Sequence, residues 1–134
     1  MDVGYRELSH TADWQLEAWG PDLAALLEQS AHGMCEMAGV QLAPGPRQNI
    51  KFTLTAWDVE GLLVKFLGEL LYWQEQFHLG FDTFDLKVSG NTLEAQLSGT
   101  PVVTIEKQIK AVTYHDLAIR KTERGLEVRV VFDV

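Results

Sequence analysis

Two short segments near opposite ends of the chain carry oxygen donors suited to metal chemistry. His10-Thr11-Ala12-Asp13 precedes a run that alternates like a β-strand, and Phe132-Asp133-Val134 closes another. If the fold brings them together, Asp13, Asp133 and the α-carboxylate of Val134 form an all-oxygen cluster, the kind that hard cations prefer. Calcium takes about 6–8 oxygen ligands, so carbonyls and water would complete the shell. Three carboxylates gathered without a cation would repel, so such a cluster would itself argue for one. Each half also has a plain reading. Thr11 and Asp13 are residues that bond local backbone in turns, and Asp133 is a polar residue at a strand end.

A third segment, Ile109 to Leu117, reads as a strand with two polar faces. Ala111, Thr113, His115 and Leu117 fall on one side, with Lys110, Val112, Tyr114 and Asp116 on the other. Such density marks either a site or a solvent-facing edge. His32 and His78 lie on helices without partners at ligand spacing. The chain has no phosphate-cradling glycine loop, dinucleotide turn, nucleophile elbow or zinc-protease helix, so those enzyme classes lose their best support.

The elements that must position these residues follow from periodicity. A first helix begins near Gly20-Pro21-Asp22 and stops at Gly39, with apolar residues from Leu23 to Ala38 recurring at three and four. A second starts after Asp58 and runs to about His78-Leu79-Gly80, its broad Leu/Phe/Trp stripe suited to burial against a sheet. Short strands are expected at Tyr5–Leu8, Trp14–Trp19 and Ile50–Ala56. Gly90-Asn91 marks a hairpin between Phe84–Val88 and Leu93–Leu97, and Thr122–Gly125 marks another between Lys110–Ile119 and Leu126–Phe132. Ala43–Pro46 and Gly99-Thr100-Pro101 read as loops. The class is α+β: a two-layer sandwich of mostly antiparallel sheet with two long helices packed on one face.

At 134 residues the chain suits one domain with a real core. Its net charge of −8 argues against unaided nucleic-acid binding and favours a basic protein partner or a metal ion. The single cysteine, Cys35, excludes an internal disulfide and reads as a small core residue. No apolar run approaches a membrane span and the N-terminus lacks a signal pattern, so a cytoplasmic protein is expected.

Taken in order, His10-Thr11-Ala12-Asp13, the helix opened by Asp58-Val59-Glu60-Gly61-Leu62-Leu63, Lys110-Ala111-Val112-Thr113-Tyr114-His115 and the closing Phe132-Asp133-Val134 resemble the archease family over nearly the whole chain. The resemblance implies a small two-layer α+β protein with no autonomous activity. It implies an accessory factor of the RtcB-type tRNA-splicing RNA ligase, promoting guanylylation of the ligase's active-site histidine and restoring turnover. It carries a divalent-cation site, Ca²⁺ first with Mg²⁺ or Mn²⁺ as substitutes, onto Asp13, Asp133 and Val134. It offers His10, Lys110 and His115 as partner contacts. Trp14-Gln15 depart from the small or branched apolar residue and glycine that usually follow the aspartate, and the 99–107 loop is less charged than in relatives. The residues alone leave two rivals: a metal-dependent hydrolase or nuclease using the same acids with His115, and a metal-free, chaperone-like binding module.

Overall fold

The computed structural model describes residues 2–8 and 13–134. Two helices form where the caps and apolar stripes place them. Helix α1 spans Leu23–Ala38, with the Asp22 carboxylate accepting from the Ala25 amide at its start and Gly39 in the left-handed conformation at its end. Helix α2 spans Val59–Phe77, with Asp58 accepting from the Gly61 amide. Each such cap satisfies an amide the helix cannot and contributes about 1 kcal/mol. The second helix stops on His78, a non-glycine residue held at φ 53°. The next residue already belongs to a strand, so Gly80 is not the stop.

The strands are β1 Gly4–Leu8, β2 Trp14–Gly20, β3 Gln41–Leu42, β4 Gln48–Thr55, β5 Leu79–Ser89, β6 Thr92–Thr104, β7 Ala111–Val112, β8 Arg120–Thr122 and β9 Gly125–Asp133. They make two antiparallel sheets rather than one. The first runs β1-β2-β9-β7 with β8 also on β9, and the second runs β3-β6-β4 with β5 also on β6. Leu16, Ala18, Val128, Val130 and Phe132 from the first sheet share a core with Leu93, Ala95 and Leu97 from the second. Leu26, Leu27 and Met34 of α1 and Leu62, Leu63, Phe66 and Leu67 of α2 fill that core. The α+β sandwich of helices over antiparallel sheet is therefore the observed class.

Two local expectations fail for physical reasons. Gly99-Thr100-Pro101 is not a loop, because β6 runs through it. Proline lacks the N–H that a ladder uses. Pro101 nevertheless fits where β4, paired to Gln48↔Gly99, has given way to β3, paired from Leu42↔Val102. Its carbonyl still accepts from the Ala43 amide at 2.8 Å. Nor is Lys110–Ile119 one strand: only Ala111 and Val112 pair with β9. The Thr113 amide and hydroxyl then both donate to the Val131 carbonyl, at 3.0 Å each. Asp116 takes φ 51° in a turn closed by the Leu117 amide on the Tyr114 carbonyl. The two-faced strand drawn through His115 is thereby replaced by a loop, and β9's hairpin partner is the short β8.

Candidate functional site

Strand β9 lies between β2 and β7, and its register decides where the acids go. The last β2–β9 pair is Trp14↔Phe132. Asp13 immediately precedes that pair on one chain segment and Asp133 immediately follows it on the other. On the other side Asp133 pairs with Ala111, and its carbonyl accepts from the Lys110 amide at 2.8 Å. Leu16, Ala18, Val128, Val130 and Phe132 point into the core. Alternation therefore gives Asp133 to the outer face, together with Arg129 and Val131. Asp133 and Lys110 are exposed, while Val134 is half-buried against the core. These residues thus gather at one corner of the first sheet. The donor chemistry there is carboxylate oxygen, which suits a hard divalent cation. Among the described residues no group of three or more His, Cys, Asp and Glu side chains is placed to hold a metal ion. His10 lies outside the described residues.

His115 stands in the loop between β7 and β8. It is exposed, with its Nε2 3.2 Å from Asp116 Oδ2 and its amide donating to Thr113 Oγ1 at 3.3 Å. Tyr114 beside it is 61% exposed, a large ring left in solvent. The same loop is tied to α2, because Glu60 accepts from the Ile119 amide at 2.8 Å. Cys35 plays no chemical part: burial pushes its thiol up to about 11, leaving it un-ionised at neutral pH.

A second feature of this face was not expected from sequence. Glu17 sits in the middle of β2 on the outer face, yet is only 4% exposed. Its Oε1 is 3.0 Å from Arg6 Nε on β1 and 3.0 Å from Arg124 Nη2, and its Oε2 is 3.5 Å from Arg129 Nε on β9. Burial alone would raise the Glu17 carboxyl. The hydrogen bonds and charges of Arg124 and Arg6 outweigh that and hold it below the usual carboxylate range. Arg124 also bonds Glu127, and its Cζ lies over the Trp19 ring, 3.9 Å from the centroid. Beside this cluster the outer face carries a groove of about 860 Å³, bordered by Gln15, Tyr114, His115, Arg120 and Arg129. The signal that could have found the cluster is charge alternation: Glu17 inside an apolar strand, and Glu127-x-Arg129 on the strand that pairs with it.

The fold and this corner define a class: a small α+β protein of two helices over antiparallel sheet, with its polar chemistry on the outer face of the sheet that carries the first and last strands. Residues 5–134 match the archease protein family. The chain is 31% identical to an archease of Methanosarcina mazei and 33% identical to one of Methanosarcina barkeri, in each case over 97% of this chain and 95% of the relative. It is 32% identical to an archease of Saccharolobus islandicus over 93% of this chain and 94% of that one. In three dimensions it resembles the crystal structure of an archease from Thermotoga maritima, with a TM-score of 0.70 at 23% identity over 96% of both chains. It also resembles the solution structure of protein 1598 of Methanobacterium thermoautotrophicum, with a TM-score of 0.67 at 23% identity over 98% and 99% of the two chains. At that identity the two structures speak for the fold. The chain belongs to the archease family. No helix among the described residues is long and apolar enough to cross a membrane.

Proposed function

We propose that this protein is an accessory factor of an RtcB-type RNA ligase, promoting guanylylation of the ligase's active-site histidine with a divalent cation held at Asp13, Asp133 and the Val134 carboxylate. Family membership supports the general accessory role. The observation that supports the site is the β2–β9 register, whose last pair, Trp14↔Phe132, adjoins Asp13 and Asp133 in sequence. A bound cation would supply positive charge to phosphate oxygens, as divalent ions do in phosphoryl-type transfers. In this chain the Asp133 backbone pairs with Ala111 of β7, one residue beyond the last β2–β9 pair. Lys110 flanks it, and the exposed Tyr114-His115 turn extends from the same edge as a contact for the ligase. The acidic balance of the chain suits a partner that must be basic to hold RNA.

The test is guanylylation of a partner ligase with and without this protein, in Ca²⁺, Mg²⁺ and Mn²⁺. Asp13→Asn with Asp133→Asn should remove the stimulation while leaving the circular dichroism spectrum unchanged. It should also remove the rise in melting temperature that Ca²⁺ gives the unmodified protein, about 2.7 kcal/mol at a hundredfold excess over Kd. Full stimulation by the double variant sinks the cation role.

A further inference from the structure

The arginine side of the first sheet's outer face has its own chemistry, separate from the acids at the corner. Four of the chain's five arginines, Arg6, Arg120, Arg124 and Arg129, lie on β1, β8, β9 and the turn between β8 and β9. The carboxylates among them are Glu17 and Glu127. Glu17 and Glu127 are matched by Arg6 and Arg124, which leaves Arg120 and Arg129 against the exposed Asp116 at the groove's rim, on a chain whose net charge is −8. Arg124 is fully engaged by Glu17, Glu127 and the Trp19 ring. Arg6 donates to Glu17 at 3.0 Å. The unspent charge therefore belongs to Arg129, which is 67% exposed and only 3.5 Å from Glu17 by its Nε, and to the exposed Arg120. Both border the groove. Asp116 at the rim is 89% exposed and sits beside His115, so solvent screens much of its charge.

We infer that this groove is a binding site for a mononucleotide, its phosphate monoester held by Arg120 and Arg129 and its base stacked on Tyr114. Three features point to that ligand. A phosphate monoester carries a charge of about −1.5 to −2, which two exposed guanidiniums can meet, and guanidinium forks suit phosphate oxygens. Tyr114 presents an exposed aromatic ring to the same groove, and base–aromatic stacking contributes about 1–3 kcal/mol. At about 860 Å³ the groove is of small-molecule size. The rest of the surface selects against the polymer: a net charge of −8 repels a long polyanion but costs a single dianion little. Glu17 acts as the positioning group, pinning the arginine array from beneath with a buried carboxylate. The site goes beyond the accessory role and does not require it.

The experiment uses the full chain without any ligase, so its failure leaves the cation reading standing. Two-dimensional NMR of the arginine Nε–Hε and backbone amide groups would follow titrations with AMP, adenosine, inorganic phosphate and a ten-residue oligouridylate. AMP should give saturable shifts centred on Arg120, Arg129 and Tyr114, and should bind more tightly than phosphate or adenosine. Arg120→Gln with Arg129→Gln should weaken AMP at least tenfold, and Tyr114→Ala should weaken AMP while leaving phosphate unchanged. Lys51→Gln, on the other sheet, should change nothing. The titration of the unmodified protein stands even if a variant folds poorly. Absence of saturable shifts at these residues overturns the site. So does equal affinity in the double arginine variant, equal affinity for phosphate and AMP, or tighter binding of the oligouridylate than of AMP.

Discussion

The two sheets are built from the same kind of ladder and share one core, yet their outer faces differ. On the second sheet Lys51 and Thr53 of β4, Asp85 and Lys87 of β5, and Glu94 and Gln96 of β6 stand side by side, and every one is exposed. Lys87 faces Glu94, an opposite-charge pair across strands of modest worth. On the first sheet the equivalent face buries a carboxylate under three arginines. Burying a charge costs stability unless it is paired and hydrogen-bonded, so a sheet that needed only solubility would look like the second one. The second sheet's face is plain and solvated; the first buries paired charge.

That contrast can be broken by substitution. The largest stability loss is expected in the second sheet, at Gly99, where an added Cβ would run into the Gly80 carbonyl across the β5–β6 ladder at its bulge. Gly99→Ala should cost about 3 kcal/mol in chemical denaturation, as overpacking against unyielding backbone does. The fraction that remains folded should keep its cation and ligase responses. Next comes Glu17→Gln, which keeps the shape and removes the charge that three arginines share. It should cost about 1–3 kcal/mol, the range for hydrogen bonds to charged groups. A carboxyl held below its ordinary value of 4.5 stabilises the fold above that pH and loses its contribution as pH falls through the lowered value. Denaturation midpoints of Glu17→Gln should therefore approach those of the unmodified protein in acid and diverge towards neutrality. The smallest effect is expected from Lys87→Gln on the exposed face: within about 0.5 kcal/mol, with ligase stimulation unchanged. A large functional loss there would erase the distinction between the sheets.

Local signals in the sequence were enough for the helices, because Asp22, Asp58 and Gly39 act on neighbouring amides and carbonyls. The Gly90-Asn91 turn was legible for the same reason, although β5 and β6 run well beyond the stretches read from alternation. Lys110–Ile119 misled because the pairing with β9 is confined to Ala111 and Val112, with Thr113 still bonded to Val131, and the chain then leaves through the Tyr114–Leu117 turn at Asp116. Pro101 misled because its tolerance depends on where β3 and β4 end on either side of it. The meeting of Asp13 and Asp133 is a conjecture about chain ends, and the β2–β9 register stops at Trp14↔Phe132, one residue short of both. The arginine cluster was invisible for a related reason, since no short window contains both Glu17 and the residues that hold it.

The place of β9 also governs how the protein is made. It is last in chain order but central in its sheet, pairing with β2, β7 and β8. Glu17 must wait for Arg124, 107 residues later, before its carboxylate has a partner on that side. At about 5–20 residues per second, that interval is about 5–20 s of synthesis. During it the β1–β2 hairpin leaves the ribosome with one edge unpaired, while both helices and the entire second sheet are already available to pack. The first sheet therefore gains its central strand only after every other element of the fold has been synthesised.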